Sequence, residues 1–274
     1  QIYRGGYQVY TTLDLNTQKA AETAFEKYMP EGIKDDNGVT QPQGALVAIE
    51  PETGYIRALV GGRSWSETEL NRVSQIRRQP GSAFKIFLYA AVIDQGHPVT
   101  DTMMCEPVSY PGARPGEPYR PVDFGSRPYH YAPLNVRQAV AISDNVIATR
   151  WAQEVGPATI ADYAERLGIK SPLQHNIPLA LGASEVTPLE MTVAAATLAS
   201  GGIRPEPIAV LKLLDTRGHV VEENRPLLTN ALSPETSYVL TSVLRSVLGP
   251  WGTGSGLERI LGGRPAAGKT GTSD

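Results

Sequence analysis

The sequence carries one cysteine among its 274 residues, Cys105, so no internal disulfide can form, and that count leaves the redox compartment open. It has no long hydrophobic run. Nothing approaches the ~20 apolar residues that a membrane-spanning helix needs, and no secretion signal precedes Tyr7. If the protein acts outside the cytoplasm, its anchor is expected beyond this chain. An excess of positive charge is missing too. Lys and Arg number 25 against 28 Asp and Glu, a net charge of −3, which gives no basic footprint for nucleic acid or for an anionic membrane surface. The four histidines, His97, His130, His175 and His219, stand singly, without a His-x-x-x-His or a cysteine pair. Neither a metal nor a cofactor is expected from them, and each is read as an exposed loop residue. No repeat period shows. What is present is ordinary for a globular protein, 41% hydrophobic and 19% charged, and the length suffices for one large domain or two small ones.

Taken in order, residues 1–6 read as the tail of a linker. Residues 7–13 are rich in β-branched and aromatic side chains and read as a strand, followed by Asp14 as the N-cap of a helix to about Tyr28. Polar sequence fills 30–43. Two apolar stretches, 45–49 and 55–60, then flank Pro51-Glu52-Thr53-Gly54, the pattern of a hairpin. After the turn residues Pro80 and Gly81 an almost unbroken apolar run begins at Ser82 and predicts a helix buried on every side. Residues 101–133 carry seven prolines interleaved with Tyr110, Tyr119, Phe124, Tyr129 and Tyr131. So long a segment without periodicity either walls a binding cleft or is a proline-stiffened surface excursion.

Helices are predicted over 134–142, 146–154 and 160–167, the first two parted by Ser143-Asp144-Asn145. Thr187-Pro188-Leu189-Glu190 is a capping box opening an Ala-rich helix that ends at Gly201-Gly202. Strands over 208–214 and 219–222 follow, and Ser233-Pro234 caps a helix to about Leu248. Strands at both chain ends with helices between them predict a mixed α/β fold of the α+β kind.

Three short motifs carry chemistry. Ser82 and Lys85 are three residues apart at a helix start, which puts the hydroxyl and the amine on one face, one turn apart. A serine is a weak nucleophile at its own pKa, so such a pair needs a neutral lysine, and burial in apolar surroundings lowers a lysine pKa. The plain alternative is a serine that starts the helix and a lysine whose stem carries its charge to the surface. By composition about one Ser-x-x-Lys is expected by chance in a chain of this length, so the pair alone decides nothing. Ser143 and Asn145 would point in different directions on a continuous helix, and a break between helices lets both face one cleft. In Gly268-Lys269-Thr270-Gly271-Thr272, strand alternation would place Thr270 and Thr272 on one side and Lys269 on the other, with Gly271 admitting another backbone or a ligand. Lys269 adds positive potential that would bind a carboxylate and depress a neighbouring lysine.

The same region competes for a second reading. Gly263 to Thr270 satisfies Gly-x-x-x-x-Gly-Lys-[Ser/Thr], a phosphate-binding loop, which makes a nucleotide-binding module the alternative. That loop needs a strand before it and a helix after it whose N-terminus holds the phosphates, and residues 271–274 are too few to form that helix.

Together, in this order, the three motifs resemble the Ser-x-x-Lys, Ser-Asp-Asn and Lys-Thr-Gly set of penicillin-binding proteins and serine β-lactamases. The wording around them, Arg78-Gln79-Pro80-Gly81-Ser82-Ala83-Phe84-Lys85, Leu181-Gly182-Ala183-Ser184-Glu185 and Val9-Tyr10-Thr11-Thr12-Leu13-Asp14, resembles the transpeptidase domain of the bifunctional class A members, over residues 7–274. The resemblance implies a D,D-transpeptidase that cross-links peptidoglycan stem peptides and is acylated by β-lactams. It implies that Ser82 attacks the penultimate D-alanine carbonyl, Lys85 takes the Ser82 proton, Ser143 relays a proton to the leaving amine and Asn145 holds the donor amide while contacting Lys85. Lys269, Thr270, Gly271 and Thr272 would bind the terminal carboxylate, with the backbone N–H groups of Ser82 and Thr272 as oxyanion hole. The acceptor amine is diaminopimelate or lysine. The β-lactamase branch needs a water-activating carboxylate, and Pro178-Leu179-Ala180-Leu181 offers none where it is expected, while Glu165 sits on a predicted helix face. A non-catalytic penicillin-binding sensor is the remaining alternative. The family also implies an extracytoplasmic location at the plasma membrane, an upstream glycosyltransferase half and anchor, and two further strands with a terminal helix beyond Asp274, absent here or supplied by a companion fragment.

Overall fold

A computed structural model describes residues 5–112 and 116–273. Residues 1–4 of the expected linker, Pro115 and Asp274 lie outside the described residues. In chain order the elements are β1 (Gln8–Thr11), α1 (Leu15–Tyr28), β2 (Ile33–Lys34), β3 (Thr40–Gln41), β4 (Leu46–Ile49) and β5 (Ile56–Val60). A 3-10 turn, Gly81–Phe84, leads into α2 (Lys85–Asp94), followed by β6 (Thr102–Met104), β7 (Pro133–Asn135), α3 (Val136–Ile142), α4 (Asn145–Val155) and α5 (Pro157–Arg166). A second 3-10 turn, Ile177–Leu181, precedes α6 (Pro188–Ala199), β8 (Ile203–Pro205), β9 (Val210–Leu214), β10 (Val220–Glu223), β11 (Leu228–Asn230), α7 (Pro234–Arg245) and α8 (Leu257–Ile260). The chain forms two compact units, residues 1–77 with 187–231, and residues 78–186 with 232–274.

In the first unit β1, β9 and β10 form an antiparallel sheet, with Gln8 opposite Leu214 and Tyr10 opposite Lys212. The β4–β5 hairpin joins it through a bridge between Tyr55 and Ile208 and a bond from the Ile56 N–H to the Ile208 carbonyl at 2.9 Å. The buried Thr12 hydroxyl lies 2.8 Å from both the Ile56 and the Ile208 carbonyl oxygens, where it fastens hairpin to sheet. Asp14 caps α1 by accepting from the Thr17 N–H at 2.8 Å, and Gln18 pairs with the backbone of Leu59, which lays α1 along β5. The Thr187–Glu190 capping box starts α6 as the sequence predicts.

The second unit is mostly helical and is built around α2. Every residue from Lys85 to Val92 is buried, the pattern of a helix apolar on all sides, and α4, α5 and α7 pack against it. At its C-terminal end Asp94 accepts from the Tyr163 hydroxyl of α5 and from the Thr236 hydroxyl of α7, so one carboxylate ties three helices. Two expectations need correction here. The predicted helix at Ser82 begins as a 3-10 turn, and α-helical geometry starts only at Lys85. The helix expected over 134–142 is preceded by a strand: Pro133–Asn135 pairs with Thr102–Met104, and the helix starts at Val136 because Asn135 closes a capping box with Gln138.

Phe87 is fully buried and its ring lies 4.6 Å from that of Phe84. Phe87→Ala should therefore cost about 3–5 kcal/mol of unfolding free energy in urea denaturation, the range for a large core truncation; a loss below about 1 kcal/mol would contradict this placement of α2.

Candidate active site

The 3-10 turn matters because three residues complete each turn, so positions i and i+3 eclipse. Ser82 lies inside the turn and Lys85 closes it, donating its backbone N–H to the Ser82 carbonyl. The lysine side chain runs beneath the helix start, with no solvent exposure. Its Nζ meets four oxygens: the carbonyls of Ser143 at 2.7 Å and Asp144 at 3.1 Å, Asn145 Oδ1 at 2.7 Å and Ser143 Oγ at 3.3 Å. No hydrogen bond joins Ser82 Oγ to Lys85 Nζ among the described residues; the amine's protons are spent on the Ser143-Asp144-Asn145 turn.

That turn is where α3 ends and α4 begins. Ser143 takes left-handed backbone angles, φ 61° and ψ 39°, a conformation that costs a non-glycine residue energy and is held by its surroundings. Asp144 then caps α4 by accepting from the Ile147 N–H at 2.7 Å. The expected break thus brings Ser143 and Asn145 to one amine. Asn145 is steadied from the proline-rich segment, donating Nδ2–H to the Val122 carbonyl at 2.9 Å and its backbone N–H to Asp123 Oδ1 at 2.7 Å.

Lys269 completes the constellation by donating to Ser143 Oγ at 2.8 Å and to the Thr270 carbonyl at 3.0 Å. The segment 268–272 has no strand assignment and no ladder partner among the described residues, yet Thr270 and Thr272 line the same cleft while Lys269 does not, and the lysine reaches back to its neighbour's carbonyl. Close backbone approach through Gly271 does hold: a Cβ there would lie 2.3 Å from the Pro80 carbonyl oxygen. Gly81, at φ +55°, would put a Cβ 2.1 Å from the Thr272 carbonyl oxygen, so residues 80–83 and 271–272 are packed backbone to backbone. The Thr270 hydroxyl pairs with that of Thr253 at 2.6 Å. Residues 271–273 lie against the turn that carries Ser82 and have no helical assignment.

Ser82, Ser143, Asn145, Thr270, Gly271 and Thr272 line one open cleft of about 1210 Å³. Tyr119 and residues 123–127 of the proline-rich segment form a wall of it, which decides between the two readings of that segment. Pro178, Leu181 and Ala183 form another wall and carry no carboxylate, while Glu165 lies exposed on α5. Sequence reasoning missed Asp123 and Thr253, both far from the motifs in the chain and carrying no spacing signal.

A family model described as the penicillin binding protein transpeptidase domain matches residues 44–274. The chain belongs to that family. It is 34% identical over 273 residues to penicillin-binding protein 1A of Neisseria lactamica, an alignment covering 95% of this chain and 34% of that protein. It is 33% identical to penicillin-binding protein 2D of Bacillus subtilis over 244 residues, 89% of this chain and 34% of that protein. The chain thus spans about a third of the length of the curated relatives it matches. Among solved structures, penicillin-binding protein 1A from Haemophilus influenzae superposes with a TM-score of 0.74 at 27% identity, covering 88% of this chain and 42% of that one. PonA1 from Mycobacterium tuberculosis, solved in complex with penicillin V, gives 0.80 at 25% identity over all of this chain and 71% of that one.

Within this transpeptidase-family site the electrostatics follow from burial. Desolvation lowers the Lys85 pKa to about 7, with the nearby Lys269 charge adding to the effect and Asp144 and Asp123 opposing it. Lys269, half-buried, is lowered to about 8 by desolvation. Lysine-selective carbon-13 labelling should accordingly show one Cε resonance titrating near pH 7 that disappears in Lys85→Met; if every lysine titrates near 10, the proposed poise of Lys85 is wrong.

Proposed function

We propose that this chain is the catalytic domain of a D,D-transpeptidase acting through an acyl-Ser82 intermediate on peptidoglycan stem peptides ending in D-Ala-D-Ala, and that β-lactams acylate the same serine. One observation carries the reading: Lys85, Ser143, Asn145 and Lys269, drawn from three separate motifs, form a single hydrogen-bonded unit beside the turn that holds Ser82.

In its neutral form Lys85 has two N–H bonds and a lone pair, so it keeps two of its four oxygens as acceptors, releases the other two and turns the lone pair to accept the Ser82 proton. The Ser82 oxygen forms its bond to the penultimate D-alanine carbonyl carbon, and the carbonyl oxygen takes negative charge against the backbone N–H groups of Ser82 and Thr272. Ser143 Oγ lies within hydrogen-bond reach of both lysines, the position from which it passes a proton to the leaving amine of the terminal D-alanine. Asn145 Nδ2 and Oδ1 are both engaged, so that side chain is a fixed post for the donor amide. The Lys269 charge and the Thr270 and Thr272 hydroxyls meet the terminal carboxylate. A second stem's amine then attacks the ester, Ser82 regains its proton, and a cross-link is made. The apolar wall at Pro178, Leu181 and Ala183 supports transfer to an amine over hydrolysis, since it supplies no base for water. A stem-peptide substrate places the domain on the outer face of the plasma membrane, held by a segment outside this chain and joined to a glycosyltransferase half.

A fluorescent penicillin should label the wild type, with the adduct on the Ser82 peptide by mass spectrometry, and should leave Ser82→Ala unlabelled; equal labelling of both would overturn the reading. Release of D-alanine from a stem-peptide donor separates an enzyme from a silent penicillin binder. The acylation rate should rise through about pH 7 as Lys85 loses its proton and fall above about pH 8 as Lys269 loses its charge. Gly271→Ala, whose methyl would meet the Pro80 carbonyl oxygen, should slow acylation on the order of a hundredfold by shifting the 271–272 backbone.

A further inference from the structure

Behind the Ser143-Asp144-Asn145 turn, four side chains from four points in the chain converge. Cys105 Sγ lies 3.1 Å from Asp123 Oδ2 and 3.4 Å from His130 Nδ1. His130 Nδ1 lies 3.1 Å from Asp123 Oδ2 and 3.0 Å from Asp144 Oδ2. All four atoms lie within 4.8 Å of one another. Cys105, Asp123 and Asp144 are buried, while His130 keeps one edge in solvent.

The outer atoms of these residues are already satisfied. Asp123 Oδ1 accepts from the Asn145 N–H, Asp144 Oδ1 accepts from the Ile147 N–H, and the His130 backbone N–H points at Cys105 Sγ from 3.2 Å. What remains, one sulfur, one ring nitrogen and two carboxylate oxygens, faces a common centre. Two buried carboxylates share the single His130 Nδ1 at 3.0–3.1 Å, and a cation at the common centre would neutralise both. Zinc bonds of about 2.0–2.3 Å at tetrahedral angles put donor atoms about 3.3–3.8 Å apart, close to the spacings here. The sulfur and nitrogen donors favour zinc over calcium or magnesium, which take oxygen ligands.

We propose that Cys105, Asp123, His130 and Asp144 bind a zinc ion that fastens the segment between residues 101 and 133 to the Ser143-Asp144-Asn145 turn. Binding releases the Cys105 thiol proton to solvent and holds His130 as its Nε2–H tautomer, with Nδ1 on the metal. The ligands Asp123 and Asp144 also hold the backbone of α4 at its first turn, so the ion fixes the position of Asn145 without touching substrate. Four-coordination by protein leaves no open position, the mark of a structural site. This reading departs from the sequence expectation of no metal; the four residues fall at 105, 123, 130 and 144 with no short spacing between them.

The test does not depend on penicillin chemistry. Protein purified without chelator should carry about one equivalent of zinc by elemental analysis. Replacement by Co2+ should give the visible bands of a tetrahedral ion together with a thiolate-to-cobalt charge-transfer band. Cys105→Ser should lose the charge-transfer band, His130→Ala should lose most of the metal, and His219→Ala, at a histidine outside the cluster, should keep it. Chelation should lower the wild-type melting temperature by several degrees and leave His130→Ala almost unmoved. The proposal is overturned if wild type takes up no Zn2+ or Co2+ at stoichiometric concentration, if the cobalt spectrum lacks the thiolate band, or if His130→Ala binds as well as wild type.

Discussion

A buried amine is the constraint on which the second unit turns. Lys85 begins a helix whose next seven residues are all buried, so its charge has no water and must be met by protein oxygen. Those oxygens come from one short turn, two carbonyls with the hydroxyl of Ser143 and the amide of Asn145. Carbonyls can converge on a point only where a helix has stopped, because within a helix they are bonded forward. The left-handed Ser143 is that stop, and its strain is the cost of turning two carbonyls and two side chains toward the same nitrogen. The arrangement satisfies the amine without a carboxylate in direct contact, which allows desolvation to dominate and leaves the lysine poised near neutrality.

The other parts of the site keep that arrangement in place. Glycine at 81 and at 271 lets two backbones touch where any side chain would part them, and this brings residues 271–272 against the turn that carries Ser82. The proline-rich segment contributes a wall of the cleft and, through Val122 and Asp123, two of the bonds that hold Asn145. Between β6 and β7 its described residues carry no helix and, apart from a Tyr110–Tyr119 bridge, no strand pairing, in line with the general observation that a long irregular segment inside a compact unit has work to do. With a metal behind the turn, that segment and the start of α4 become one rigid piece.

Local chemistry was readable wherever it acts over a few residues. Asp14 and the Thr187–Glu190 pair announce helix starts because a cap is complete within four positions, and Pro51-Glu52-Thr53-Gly54 announces a hairpin for the same reason. The motif residues were legible too, since Ser82 with Lys85, Ser143 with Asn145, and Lys269 with its neighbours are each local. Their meeting was not, nor was the swing of Lys269 toward Ser143. A period-2 expectation assumes a paired strand, and 268–272 has no partner beside it among the described residues.

By itself the sequence determined which groups were available: a hydroxyl three residues from a lysine in an apolar run, a helix break bearing serine and asparagine, and a lysine beside a glycine. These follow from composition and from spacings shorter than a helical turn. Only the tertiary structure decided that Lys85 also answers to the Ser143 and Asp144 carbonyls, that Asp123 props Asn145, and that Cys105, Asp123, His130 and Asp144 converge. Burial and convergence are properties of chain segments dozens of residues apart, and no local pattern records the direction from which a distant side chain will arrive.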